Sequence, residues 1–256
     1  MAKQNIEDIK PRLTGDKVAT SCPEFWFPGP WIGGISLIIA PLILLTGILL
    51  RIEFHFFFPQ QLQAFQNHPT LIVSSYSCFV AGNILLWPAI ISLSRLIGRK
   101  RPIWALWGGA LVILGLFART FNVGVDHLAF QLVRVQDLKL ATKAIADSYG
   151  AFHITTALNG AILFGWIILA IGAYLTKTLP LFRAVALACM SALMMGVLKG
   201  SSLVSVIAVS GLCIAFIPLG INIIKGIEYP GNRTVIFWVL IVACVTGFLY
   251  FLGQQG

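Results

Sequence analysis

Acidic side chains are scarce in this chain: nine Asp and Glu occur among 256 residues, and none sits at the middle of an apolar run. A proton-coupled pump needs carboxylates at mid-membrane, so that class is set aside. Charge of either sign is thin, at 11% of residues, against about 25% in a soluble domain. So few charges cannot cover a water-facing surface of this size, and lipid is the expected solvent. No Cys-x-x-Cys occurs. Of the five cysteines (Cys22, Cys78, Cys189, Cys213 and Cys244) four stand singly inside apolar runs, where they read as small packing residues. The sequence also lacks a phosphate-binding glycine loop, a dinucleotide glycine pattern, a nucleophile elbow and a His-Glu-x-x-His pair. The last apolar run has no lysine, which excludes a retinal Schiff base.

What the chain does have is length of apolar sequence. Hydrophobic residues make up 58% of it, and they fall in seven runs near 31–50, 70–92, 103–122, 151–175, 181–198, 202–224 and 234–252. Each is close to the ~20 residues that cross a bilayer core as a helix. The expected fold is all-α: a polytopic transmembrane helical bundle of about seven spans, forming one domain over 31–252 behind a cytoplasmic and interfacial segment, 1–30. Trp26 and Trp31 suit the headgroup level, and Pro28 and Pro30 hold off the first helix until the membrane begins. Pro41, Pro88 and Pro218 fall within runs and are expected to bend them. The fifth run is the shortest, and it meets the sixth at Lys199-Gly200-Ser201-Ser202. Were that pair a re-entrant hairpin, five helices would span.

The net charge of +9 resides mainly in short loops rather than in a nucleic-acid patch. With the N-terminus inside, twelve basic residues fall on the cytoplasmic side, Arg95, Arg99, Lys100 and Arg101 among them, against five on the other. The positive-inside rule therefore predicts a cytoplasmic N-terminus and an outer C-terminus, with anionic headgroups as partners of the basic loops. The compact loops suggest a bacterial plasma membrane. Within 134–143 and just beyond, Leu138, Ala141, Ile145 and Tyr149 recur at helical spacing, predicting a short interfacial helix between the third and fourth spans.

This topology gathers the polar chemistry on one side. His55, His68, His127 and His153 all fall at the outer level, with Glu53, Asp126 and Asp147 beside them. At about 100° per residue, Arg119, Asn122, Asp126 and His127 share an arc of roughly 140° on a helix that runs on past the membrane. Arg119 lies below the interface and needs a partner; Asp126 and Glu53 are the acids within reach. Imidazole and carboxylate together suit Zn, Cu or Fe. The candidate metal ligands are His127 and His153, then Asp126 and His55, supported by Glu53, Arg119, Asn122 and Asp147. Asn159, near the middle of its run, is expected to bond a neighbouring helix, with Asn83 as its partner.

Three functions follow as expectations. The first is a non-catalytic membrane module of the sensor, accessory or immunity type. The second is a metal-dependent, hydrolase-like enzyme using the outer His/Asp cluster. The third is a facilitative small-molecule transporter lined by Arg119, Asn83 and Asn159. The row Ala184, Ala188, Ala192, Gly196 repeats every four residues and lets another helix approach closely, within the chain or as a homodimer or larger complex.

Overall fold

The computed structural model describes residues 26–148, 154–193, 196–227 and 231–254. In chain order the elements are α1 (Gly29–Leu49), α2 (Phe58–Asn67), α3 (Pro69–Gly98), α4 (Pro102–Val135), α5 (Leu138–Ser148), α6 (Ile154–Leu175), α7 (Leu181–Ala188), α8 (Leu203–Lys225) and α9 (Asn232–Gly253). α7 is prolonged by a 3₁₀ turn, Cys189–Ala192. Proline stands in the first turn of α1, α2, α3 and α4, where its missing N–H would be unpaired in any case and its fixed φ suits the helix. Pro41, Pro88 and Pro218 lie inside α1, α3 and α8 as expected.

The molecule is a polytopic all-α bundle with six helices long and apolar enough to cross a membrane, in α1, α3, α4, α6, α8 and α9. The seventh expected span is corrected. The run beginning at Leu181 is helical only to Ala192, about 18 Å at 1.5 Å per residue, against a hydrocarbon core of about 30 Å. It still travels from one end of the bundle to the other. At its start the Lys100 Nζ between α3 and α4 donates to the Thr176 carbonyl at 3.0 Å; at its far end the Gly200 N–H donates to the Phe56 carbonyl beyond α1, at 2.8 Å. Beyond Ala192 the described residues, 193 and 196–200, are not helical, and the crossing is neither a full helical span nor a hairpin returning to the same end.

Glycine sets the spacing of the inner bundle. Gly108 and Gly115 of α4 lie against Leu169 and Ile162 of α6, Gly47 of α1 against the backbone of Ser75 and Phe79, and Gly220 of α8 against the Gly34 carbonyl. Lipid is as apolar as Leu, so helices in a membrane gain by close backbone approach, and small residues permit it. The main core fills this frame with Leu37, Leu44, Leu86, Ile90, Trp166 and Phe216, all buried. The Ala184–Gly196 row does not continue as one stripe, because the helix stops at Ala192 and Gly196 lies beyond it with φ +138°. Ala184 is buried within the chain. Among the described residues α9 packs against no other element.

A second core caps the end of the bundle that holds the C-terminal half of α4. At about 1.5 Å per residue, the 34 residues of α4 greatly exceed the hydrocarbon thickness, and α4 projects beyond it as its polar stripe predicts. Onto the projection pack α5, the expected interfacial helix, through Ala141 and Ile145, and α2, which lies in a segment expected to be loop, through Leu62 and Phe65. Phe65 stacks on Phe130 with ring centres 4.6 Å apart.

The glycine frame makes a direct prediction. A Cβ on Gly115 would come within 2.7 Å of the Ile162 backbone, whereas one on Gly124 would meet nothing within 4 Å. Gly115→Ala should lower unfolding stability by about 1–3 kcal/mol through overpacking. Gly124→Ala should leave it unchanged or raise it by about 0.5–1 kcal/mol, the helical disadvantage of glycine. Thermal unfolding of the detergent-solubilised variants separates the two.

Candidate functional site

The uncoiled half of the fifth crossing defines the site. Backbone without helical partners is tolerated at membrane depth only where protein encloses it or it lines a polar cavity. Side chains of α3 and α4, with the backbone at Phe56, meet that requirement. Arg119 of α4 donates from Nη2 to the Leu193 carbonyl at 3.2 Å, the first carbonyl beyond the 3₁₀ turn, where the negative end of the helix dipole favours a cation. About two turns further along α4, the Asp126 carboxylate accepts the Leu198 N–H. The Tyr76 hydroxyl of α3 faces the Lys199 carbonyl at 3.5 Å and the Gln61 amide oxygen at 3.4 Å. Gly200 is held tightly: a Cβ there would approach Phe56 Cα to 2.8 Å.

Between the segment and the helices is a chamber of about 30 Å³, lined by Arg51, Tyr76, Arg119, Asn122, Asp126, Lys199 and Ser205 together with apolar neighbours. Its charged walls are deeply buried: Arg119 is 3% exposed, Asp126 4% and Arg51 5%. The Arg51 Nε donates to the Ser201 hydroxyl at 3.0 Å, and its guanidinium lies 4.4 Å over the Tyr76 ring and 4.9 Å from that of Phe79. The first turn of α8 faces the same space; the Ser202 hydroxyl caps it by accepting the Ser205 N–H at 3.3 Å. Arg119 Nε and Nη1 are buried and have no hydrogen-bond partner among the described residues. Burying a cationic N–H without an acceptor is costly. Three basic side chains against one acid, a helix N-terminus and two idle guanidinium donors make this an environment for negative charge.

The expected site residues distribute unevenly. Arg119, Asn122 and Asp126 face the chamber together, as their shared helical arc predicts. His127, one residue on and so rotated by about 100°, is exposed on the outer surface of α4, with Gln131 Nε2 3.5 Å from its ring. His55 is exposed beyond α1; its carbonyl accepts from Gln61. Glu53 and Asp147 are exposed, so neither acid is the partner of Arg119, whose bond goes to backbone. His153 lies outside the described residues. Among those described, no group of three or more His, Cys, Asp or Glu side chains is placed to hold a metal ion. The Asn83 amide nitrogen bonds back to Phe79 of its own helix at 2.9 Å, rather than to Asn159.

Arg51, Tyr76, Ser201 and Ser205 escaped sequence reading. Arg51 ends an apolar run and reads as an ordinary loop charge; Tyr76 reads as one aromatic among many. The available signal was the Gly196…Gly200-Ser201-Ser202 stretch, turn chemistry arriving too early in a run that should have continued as helix. Comparison with protein-family models, curated proteins and solved structures found no match.

The backbone contacts predict an asymmetry between two substitutions. Asp126→Ala strands the buried Leu198 N–H and should destabilise by about 1–3 kcal/mol. Asp126→Asn keeps an acceptor oxygen and should retain most of that. Chemical denaturation in micelles reads the difference, and equal losses would remove the assigned role of the Asp126–Leu198 bond.

Proposed function

We propose that this chain is a non-catalytic membrane module that captures a small anionic group inside its bundle. The observation that carries the reading is the pair of buried Arg119 donors, without a partner among the described residues, in the wall of a charged chamber beside a broken crossing. Discontinuous membrane helices commonly expose their ends and unwound backbone to a ligand, with helix N-termini turned toward its negative charge. Here the α8 N-terminus and Arg51 supply the positive side. The size of the chamber, about 30 Å³, suits about two water-sized groups, which is the scale of a carboxylate.

The packed core between this chamber and the opposite end, with Leu44, Leu86 and Ile90 fully buried, favours a sensor or receptor over a carrier. The absence of a metal-holding cluster among the described residues leaves the hydrolase reading without structural support. We take the N-terminus as cytoplasmic, which puts the chamber in the outer half of a bacterial plasma membrane. A cysteine replacing Glu53 should then react with an impermeant maleimide from outside intact cells. One replacing Arg99 should react only after lysis; the reverse pattern overturns the orientation.

Acetate tests the anion reading. At saturating acetate, with chloride at matched ionic strength as control, the melting temperature of the purified chain should rise, because a ligand bound only by the folded state stabilises it by mass action. Arg119→Gln should weaken acetate at least tenfold, and Ser205→Ala, which keeps both arginines, should weaken it less. No acetate-specific stabilisation of the wild-type chain would overturn the reading.

A further inference from the structure

A second cavity lies at the same depth as the chamber, on the other side of one wall. It is a groove of about 380 Å³ in the seam between α3 and α4, with Val73 and Val80 on one side and Thr120 and Gly124 on the other. That volume is within the range of pockets that hold small ligands, about 300–1,000 Å³. Val73 and Gly124 are exposed on the outside of the bundle, so the groove opens toward lipid. Tyr76 and Val123 line both cavities and form the partition between them.

Aromatic and aliphatic packing flanks the chamber above and below. Above it, the cap stacks Phe65 on Phe130 at 4.6 Å, and Tyr76 meets Phe130 edge-on at 5.0 Å. Below it, the main core is packed with buried aliphatic side chains. The sideways approach leads from lipid into a mostly apolar groove whose inner wall, Tyr76 and Val123, is all that separates it from the cationic chamber, so a ligand enters by displacing that partition. A ligand that follows it is apolar along its length and anionic at one end.

We propose that groove and chamber together take one long-chain fatty carboxylate, its head against Arg119 and Arg51 and its chain in the α3–α4 seam. The assignment rests on the anion reading of the chamber given above. The chamber's size selects a carboxylate over bulkier phosphorylated heads. Adjacency of the lipid-facing groove to the chamber, across Tyr76 and Val123, selects a membrane-borne source over a water-soluble acid. The head gains charge-assisted hydrogen bonds from guanidinium donors that are otherwise idle. The chain exchanges one apolar environment for another, so affinity resides in the head and access in the groove.

The test uses the full chain in detergent micelles with radiolabelled palmitate. Gly124→Leu adds a side chain from a position where a Cβ meets nothing within 4 Å, so it should fill the groove without unfolding the protein. Ser77→Phe fills the same groove from α3 and serves if the first variant is unstable. Both should weaken palmitate at least tenfold and leave the acetate-induced rise in melting temperature unchanged, whereas Arg119→Gln should weaken both ligands. Unlabelled palmitate should displace the label and hexadecanol, the same chain with a neutral head, should not. Undiminished palmitate binding in both filled-groove variants, or equal displacement by hexadecanol, overturns the fatty-carboxylate assignment while Arg119-dependent acetate binding stands. Absence of acetate-specific stabilisation in the wild-type chain overturns both readings.

Discussion

A stretch of peptide backbone without helical hydrogen bonds, placed where there is no water, is the constraint on which the rest of this structure depends. Leu193 and residues 196–200 belong to that stretch. Their polar groups would each cost several kcal/mol in hydrocarbon, and the surrounding helices answer with Arg119 on the Leu193 carbonyl, Asp126 on the Leu198 N–H and the 55–56 backbone on Gly200. Once those side chains are committed there, that half of the bundle is necessarily polar, and it must be sealed from the acyl chains around it. The other half carries no such burden and closes on glycine and leucine.

The same constraint explains the cap. α4 carries its acid and its arginine on one face and continues past the membrane, where Phe130 and Val133 need cover. α2 and α5 give it. They are short, amphipathic and too polar to cross a membrane, and their apolar faces meet around Phe65 and Ile145. The cap thus covers the chamber, and the groove between α3 and α4 adjoins it across Tyr76 and Val123. Exposed positions there are mostly small or apolar, with His127 among them, while the guanidinium groups stay inside.

How the polar residues sort themselves follows from helix geometry. Asp126 and His127 are neighbours in sequence, but one faces the bundle and the other faces out, since consecutive helical residues diverge by about 100°. Adjacency in sequence therefore suggested a His–Asp pair that the helix separates. Arg119, Asn122 and Asp126, three and four residues apart, stay together for the same reason. Arg51 joins them from α1 although nothing local to Arg51 distinguishes it from any other basic residue at a helix end.

The amino-acid sequence by itself determined the solvent, the helical class, the existence of seven apolar runs, the overhang of α4 and the shared face of Arg119, Asn122 and Asp126, because composition and a 3.6-residue period are local properties of the chain. Only the tertiary structure decided that the fifth run breaks after Ala192 and that its unpaired backbone falls beside Arg119 and Asp126. It also decided that Arg51 and Tyr76 complete the chamber and that a groove between α3 and α4 adjoins it. Those are contacts between segments up to 150 residues apart, and which carbonyl meets which guanidinium is fixed by how closely glycine-faced helices approach one another. Spacing along a single helix cannot encode that distance.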